Sequence, residues 1–136
     1  MTPTGILESA LYVDDLDKAE AFYTTVMGLG RIARVPDRHV FFRCGEGVLL
    51  LFNAEKTLTP PAPDALLPVP PHGTKGSGHL CFRGSRAEIE HWKAHLSDHN
   101  IAIEADFEWP QGGRSIYFRD PAGNSLEIAE PKIWGL

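Results

Sequence analysis

The 136-residue chain predicts an α+β fold of two βαβββ modules forming a curved mixed sheet around a cavity, with the helices on the outer face. Three observations predict it. The first half reads strand, helix, strand, strand, strand from its hydrophobic periods, and the same order begins again after residue 76. The repeat is about 70 residues long, too long for a solenoid and suited to two pseudo-symmetric modules. With 43% hydrophobic and 23% charged residues, the composition is that of an ordinary globular domain. The reading is one domain over 1–136: module 1 at 5–54, a proline-rich linker at 55–76, module 2 at 77–131, and a tail at 132–136.

Ile6 to Val13 is a short apolar strand interrupted by Glu8. Asp14-Asp15 supplies an N-cap, after which Leu16, Ala19, Phe22 and Val26 recur at helical spacing until Gly28 stops the helix. Three β-like runs follow, at Gly30 to Val35, His39 to Cys44 and Val48 to Asn53, the last two joined by a Gly45-Glu46-Gly47 turn. Residues 54–76 hold Pro60, Pro61, Pro63, Pro68, Pro70 and Pro71 with little periodicity, so they read as a linker or a pocket-side loop. In the second module Gly78 to Arg83 is a strand, Ser85 and Glu88 form a capping box, and Ile89, Trp92 and Leu96 mark a helix stripe. Runs at Ile101 to Ala105, Arg114 to Arg119 and Ser125 to Glu130 complete it. The last two flank Asp120-Pro121-Ala122-Gly123-Asn124, where proline presets φ and glycine or asparagine accepts positive φ.

Charge and cysteine usage narrow the function. A formal charge of -5 gives no basic footprint for nucleic acid. No apolar run approaches the roughly 20 residues of a membrane span, and no secretory leader pattern opens the chain, so a cytoplasmic protein is expected. Cys44 and Cys81 lack CxxC spacing and read as reduced thiols.

On the closing strand the two-residue period sets Leu126 and Ile128 on one face and Ser125, Glu127 and Ala129 on the other. Glu127 thus sits among small neighbours in mid-strand, as either a solvated residue or a ligand. Aligning the two halves by their opening strands places Glu8 opposite His79. An imidazole and two carboxylates make a normal shell for Mn²⁺, Fe²⁺, Co²⁺, Ni²⁺ or Zn²⁺, and three ligands leave positions open for Lewis-acid chemistry. The competing reading is a satisfied core histidine with two surface carboxylates.

The segments LESALYVDDLDKAEAFYTTVMGL (7–29), GSGHLCFRG (76–84) and GGRSIYFRDPAGNSLEIAE (112–130) resemble the vicinal oxygen chelate superfamily, which groups glyoxalase I, extradiol dioxygenases, and fosfomycin and bleomycin resistance proteins. The resemblance implies paired βαβββ modules, a homodimer, and a divalent metal held by Glu8, His79 and Glu127 inside a cavity. It also turns Tyr117 toward that cavity, where its hydroxyl could hold a substrate oxygen, with Arg114, Arg43 and His39 as further substrate contacts. Glu8 or Glu127 could exchange between ligand and base. Two departures stand out. The first ligand position, usually His or Gln, is Glu8, which adds negative charge and weakens the ion as a Lewis acid. Near Leu49, where glyoxalase I carries a proton-transferring Glu, the chain reads VLLLFN.

The resulting expectation is metal-assisted chemistry on a small molecule with vicinal oxygens. Two alternatives stay open: metal-free sequestration of a small molecule, as in bleomycin resistance proteins, and an extradiol-type dioxygenase. His91, His95 and His99 recur every four residues, but the apolar stripe beside them sets them on the outer helix face.

Overall fold

The computed structural model describes residues 1–136 and divides into two compact units, Met1–Gly76 and Ser77–Leu136. The first unit contains β1 (Glu8–Tyr12), α1 (Leu16–Thr25), β2 (Gly30–Val35), β3 (His39–Cys44), β4 (Gly47–Phe52) and a single helical turn, α2 (Ala54–Thr57). The second contains β5 (His79–Arg83), α3 (Arg86–Asp98), β6 (Ala105–Glu108), β7 (Arg114–Arg119), β8 (Ser125–Ala129) and a closing 3-10 helix, Pro131–Trp134. Each unit builds a four-stranded mixed sheet, β1-β4-β3-β2 in the first and β5-β8-β7-β6 in the second, so two βαβββ modules are present. In each, the opening strand pairs parallel with the closing one and the remaining pairs are antiparallel. No helix is long and apolar enough to cross a membrane.

Period-2 alternation gives each sheet two unlike faces. In the first unit Leu11, Val40, Phe42, Leu49 and Leu51 are buried on the face that α1 covers with Leu16, Ala19, Phe22 and Tyr23. Asp15 caps α1 by accepting from the Lys18 backbone N–H at 3.0 Å. In the second unit Ile116, Phe118, Leu126 and Ile128 are fully buried, as are Ile89 and Leu96 of α3. Each of these side chains contributes about 1.5–3 kcal/mol by leaving water. The Ser85–Glu88 capping box starts α3, with side chain and backbone bonded in both directions.

Two elements differ from the sequence reading. The strand expected at 101–105 lies at Ala105–Glu108, because the Ile101 N–H is still used to close α3, donating to the Leu96 carbonyl at 2.8 Å, and Asn100 turns the chain at φ 56°. Residues 54–57, read as irregular, form a helical turn because the Asn53 side chain caps them. The proline-rich stretch after them is tied back at its far end. The His72 N–H donates to the Thr57 carbonyl at 3.0 Å, and Lys75 meets Glu55 at 3.3 Å.

Candidate functional site

The turn between β7 and β8 positions the chemistry of the second unit. Asp120 Oδ1 accepts from the backbone N–H groups of Ala122 and Asn124, at 2.9 and 2.8 Å, and Gly123 takes φ 85°. This fixes the buried Asn124, whose Oδ1 accepts from the Gly78 N–H at 2.8 Å. The link pins the start of β5 against the start of β8. His79 is the next residue on β5, and its Nδ1 lies 3.0 Å from the Ser125 carbonyl oxygen.

Because a carbonyl oxygen only accepts, that contact assigns a proton to Nδ1, so that the tautomer it selects carries its lone pair on Nε2. Nε2 faces Glu127 Oε2 at 3.3 Å. Two acceptors facing each other require a proton or a cation between them. Glu127 is 5% exposed, and its other oxygen, Oε1, is buried without a hydrogen-bond partner. A buried acceptor left unmade costs about 1–3 kcal/mol, more when charged. The donor set therefore fits a divalent cation: a histidine oriented through its far nitrogen by a backbone carbonyl, next to an unsatisfied carboxylate. No group of three or more His, Cys, Asp or Glu side chains forms a ready ion cage, so the second unit supplies two donors and an ion there would need others.

Strand register sets the neighbours of Glu127. Across β8, Tyr117 pairs with it from β7 and Cys81 from β5. Tyr117 stacks 6.1 Å from the His79 ring and 5.8 Å from Phe107. Burial first, then the Glu127 carboxylate, pushes the Tyr117 phenol up to about 12. The same two causes in the same order push the Cys81 thiol up to about 12. Cys81 is an exposed residue on an edge strand, but the Glu127 charge acts in the same direction as burial, so the protonated thiol is the stable form at neutral pH. Both groups stay protonated donors beside a carboxylate.

The first unit carries a cavity of about 990 Å³ on the sheet face away from α1. Its floor alternates through the strands as Ala10, then Val48, Leu50 and Phe52, then Phe41, with His39 and Arg43 on the same face of β3. Glu8 lines it from β1 and is the sole carboxylate among the lining residues. Leu67, Val69 and His72 wall it, so the proline-rich stretch is a pocket-side loop. Leu49, at the position near which glyoxalase I resemblance calls for a base, is buried on the helix-facing side. The cavity-facing positions of β4 are Val48, Leu50 and Phe52, none of which can move a proton.

The structure thus gathers His79, Glu127 and Tyr117 in one unit, and Glu8, His39 and Arg43 around the cavity of the other. Arg114 joins neither group. It points to the α3 side of its sheet, where Asp106 holds its guanidinium through two bonds of 2.7 Å and Glu90 binds a further N–H. In return Arg114 and Lys93 hold the Asp106 carboxyl down to about 2. A guanidinium so occupied has little left for a substrate, so Arg114 serves its own sheet and helix rather than the substrate contact expected of it. On α3, His91 is exposed and His95 and His99 are half-buried, their rings 4.3 Å apart. Sequence reasoning passed over Arg38, Tyr12 and His72. The Tyr12 hydroxyl is 2.7 Å from His72 Nδ1, and only the fold brings residues so far apart together. Arg38 had a weak signal, lying one residue before His39 at the start of β3.

These paired sheets and this face chemistry define a class, and the comparison with known families agrees. The model described as the Glyoxalase/Bleomycin resistance protein/Dioxygenase superfamily matches residues 5–128, and the chain belongs to that superfamily. Its structure is similar to that of lactoylglutathione lyase from Agrobacterium tumefaciens, at 44% identity and a TM-score of 0.95, with 100% of both chains covered. It is also similar to the metallothiol transferase FosB of Staphylococcus saprophyticus, 29% identical over 118 residues, which are 85% of this chain and 70% of that protein. A virulence protein from Salmonella typhimurium shares 27% identity and a TM-score of 0.69, with 96% of this chain and 98% of that one covered.

Proposed function

We propose that the protein is a divalent-metal-dependent enzyme of the glyoxalase type, acting on a small molecule that chelates through vicinal oxygens. The observation that carries this reading is the buried, unpartnered Oε1 of Glu127, whose other oxygen faces Nε2 of His79 at 3.3 Å. In this reading His79 and Glu127 hold the ion, and Glu8 is the third ligand. Likeness to a lactoylglutathione lyase and to a metallothiol transferase supports an enzyme. Bound there, a divalent ion would polarise substrate oxygens as a Lewis acid. The chain's own contribution is to hold the Tyr117 hydroxyl as a donor next to the site and to orient His79 through the Ser125 carbonyl. Apolar side chains left on the surface at Ile6, Leu7 and Trp134 favour a homodimer, and we place its work in the cytoplasm.

Metal content by mass spectrometry, on untagged protein purified without added metal, tests the reading. Near-stoichiometric metal in the natural chain that is lost in His79→Ala and Glu127→Ala, and lowered in Glu8→Ala, is the expected result. No metal after incubation with Mn²⁺, Fe²⁺, Co²⁺, Ni²⁺ and Zn²⁺ would replace it with a second reading, ligand sequestration. One observation favours that alternative: the cavity face of β4 carries no acid or base.

A further inference from the structure

The arginines of this chain divide sharply by partner. Arg31 and Arg34 meet Glu20, Arg86 meets Glu108 and Glu130, Arg114 meets Asp106 and Glu90, and Arg119 meets Glu104. Arg38, Arg43 and Arg83 form no salt bridge, and the first two of these line the cavity of the first unit. In a chain whose formal charge is -5, cations gathered without carboxylate partners at a concave apolar surface call for another anion. Lys56 adds a third positive charge to the lining, against the single carboxylate of Glu8.

Arg38 is held by groups that leave its charge unneutralised. Asp37 turns the chain at φ 62°, which brings Arg38 to the head of β3. Its guanidinium carbon lies 6.0 Å from the centroid of the Phe52 ring, and its Nη1 is 2.8 Å from His39 Nδ1. Since a guanidinium only donates, His39 Nδ1 accepts, and the ring carries its proton on Nε2. Burial first, then the Arg38 charge, lowers the His39 pKa, so the ring stays a neutral donor.

The floor beside these donors is aromatic. His39 stacks on Phe41 with ring centroids 4.1 Å apart and planes 7° apart, and Phe52 stands edge-on to Phe41 at 5.3 Å. His72 closes the cluster, edge-on to Phe52 at 4.7 Å. Such a surface favours a flat π-system by stacking and edge contact. A volume of about 990 Å³ holds a two-ring molecule with room to spare.

We propose that this cavity binds a small organic anion with a flat aromatic body, the rings lying against Phe41 and Phe52 and the carboxylate meeting Arg38. The inference stands on the first unit and goes beyond the metal reading, which stands on His79 and Glu127 of the second and draws only its third ligand, Glu8, from this cavity's lining. Neither requires the other to be correct.

Isothermal titration calorimetry on the full chain with 2-naphthoate, 2-naphthamide and acetate, each in EDTA and again in Mn²⁺, tests it. The expected result is that 2-naphthoate binds at least about tenfold tighter than either of the others, because a charge-assisted contact and a stacking surface act together. Arg38→Gln weakens naphthoate about tenfold and leaves naphthamide nearly unchanged, with circular dichroism confirming the fold. Phe41→Ala weakens both naphthyl compounds. Arg83→Gln, the other arginine without a salt bridge, changes nothing. Equal affinity for acid and amide would overturn the proposal, as would no binding at millimolar ligand, or loss of binding in Arg83→Gln. Because the EDTA arm needs no metal, failure here and failure of the metal reading give different results.

Discussion

The two units repeat one strand order but use the exposed face of the sheet differently. In the first, that face is apolar and aromatic, with unpaired cations at its margin and one carboxylate, Glu8. In the second, the face carries His79, Tyr117 and a buried carboxylate lacking one partner. The helix-facing sides, by contrast, are interchangeable in kind: Leu, Val and Phe in one, Leu, Ile and Phe in the other. Alternation in a strand explains this. The residues that drive folding occupy every second position, so the positions between them can change without loss of the fold. A repeated module therefore supplies two unlike faces, which the readings proposed above assign to an organic ligand and to an ion.

Adjacent residues of β3 give the strongest test of that division. Phe42 is fully buried against α1, whereas Phe41 lines the cavity and is half-buried. Phe42→Ala should cost about 3–5 kcal/mol in chemical denaturation, the range for emptying a packed aromatic site. Phe41→Ala should cost a small fraction of that while weakening ligand binding. Equal losses would mean that the two faces of the first sheet are not distinct in function.

A second comparison sets stability against ligation at Glu127. In EDTA, Glu127→Gln should raise the unfolding free energy by about 1–3 kcal/mol, because it removes a buried charge whose Oε1 has no donor. In saturating Mn²⁺ the order should reverse, since only the carboxylate gains the energy of metal binding. A variant less stable than the natural chain in EDTA would show that Glu127 is satisfied by its protein neighbours alone.

Glu127 and its strand neighbours also mark how much of the site the sequence alone discloses. The opposite facing of Leu126 and Glu127, the Asp120–Asn124 turn and the capping box at Ser85 are local features, set by period, proline and short side-chain bonds, and all three were legible. The pairing of His79 with Glu127 was legible as a possibility through the repeat. Its decisive detail, the Ser125 carbonyl that sets the tautomer, depends on parallel register between β5 and β8. Arg114 went the other way. Its residue type suggested an anion anchor, but the choice between substrate and protein carboxylates depends on α3 and β6, which only the fold brings alongside. Arg38 was missed because an arginine shows its lack of a partner only when every carboxylate has a position.

The smallest expected effect concerns His39, and it tests whether the first unit's cations are as open as their lack of salt bridges indicates. Arg38, Phe41 and Phe52 contact the His39 ring, and Arg43 and Glu8 line the same cavity. The pKa of His39 is lowered from an ordinary 6.5, by burial first and the Arg38 charge second. A folded pKa below the unfolded one means that the unfolded chain takes up the proton first, so stability falls as pH drops through 6.5 and levels off below the folded value. NMR titration of the imidazole should give a midpoint below 6.5, and Arg38→Gln should move it part of the way back, since burial remains. Saturation with 2-naphthoate should move it up as well, because a carboxylate at Arg38 neutralises the charge that opposes protonation. An upward shift with naphthoate that is absent with naphthamide would locate the anion beside Arg38, and a midpoint indifferent to both would separate the aromatic floor from the cations and leave the first unit an apolar pocket only.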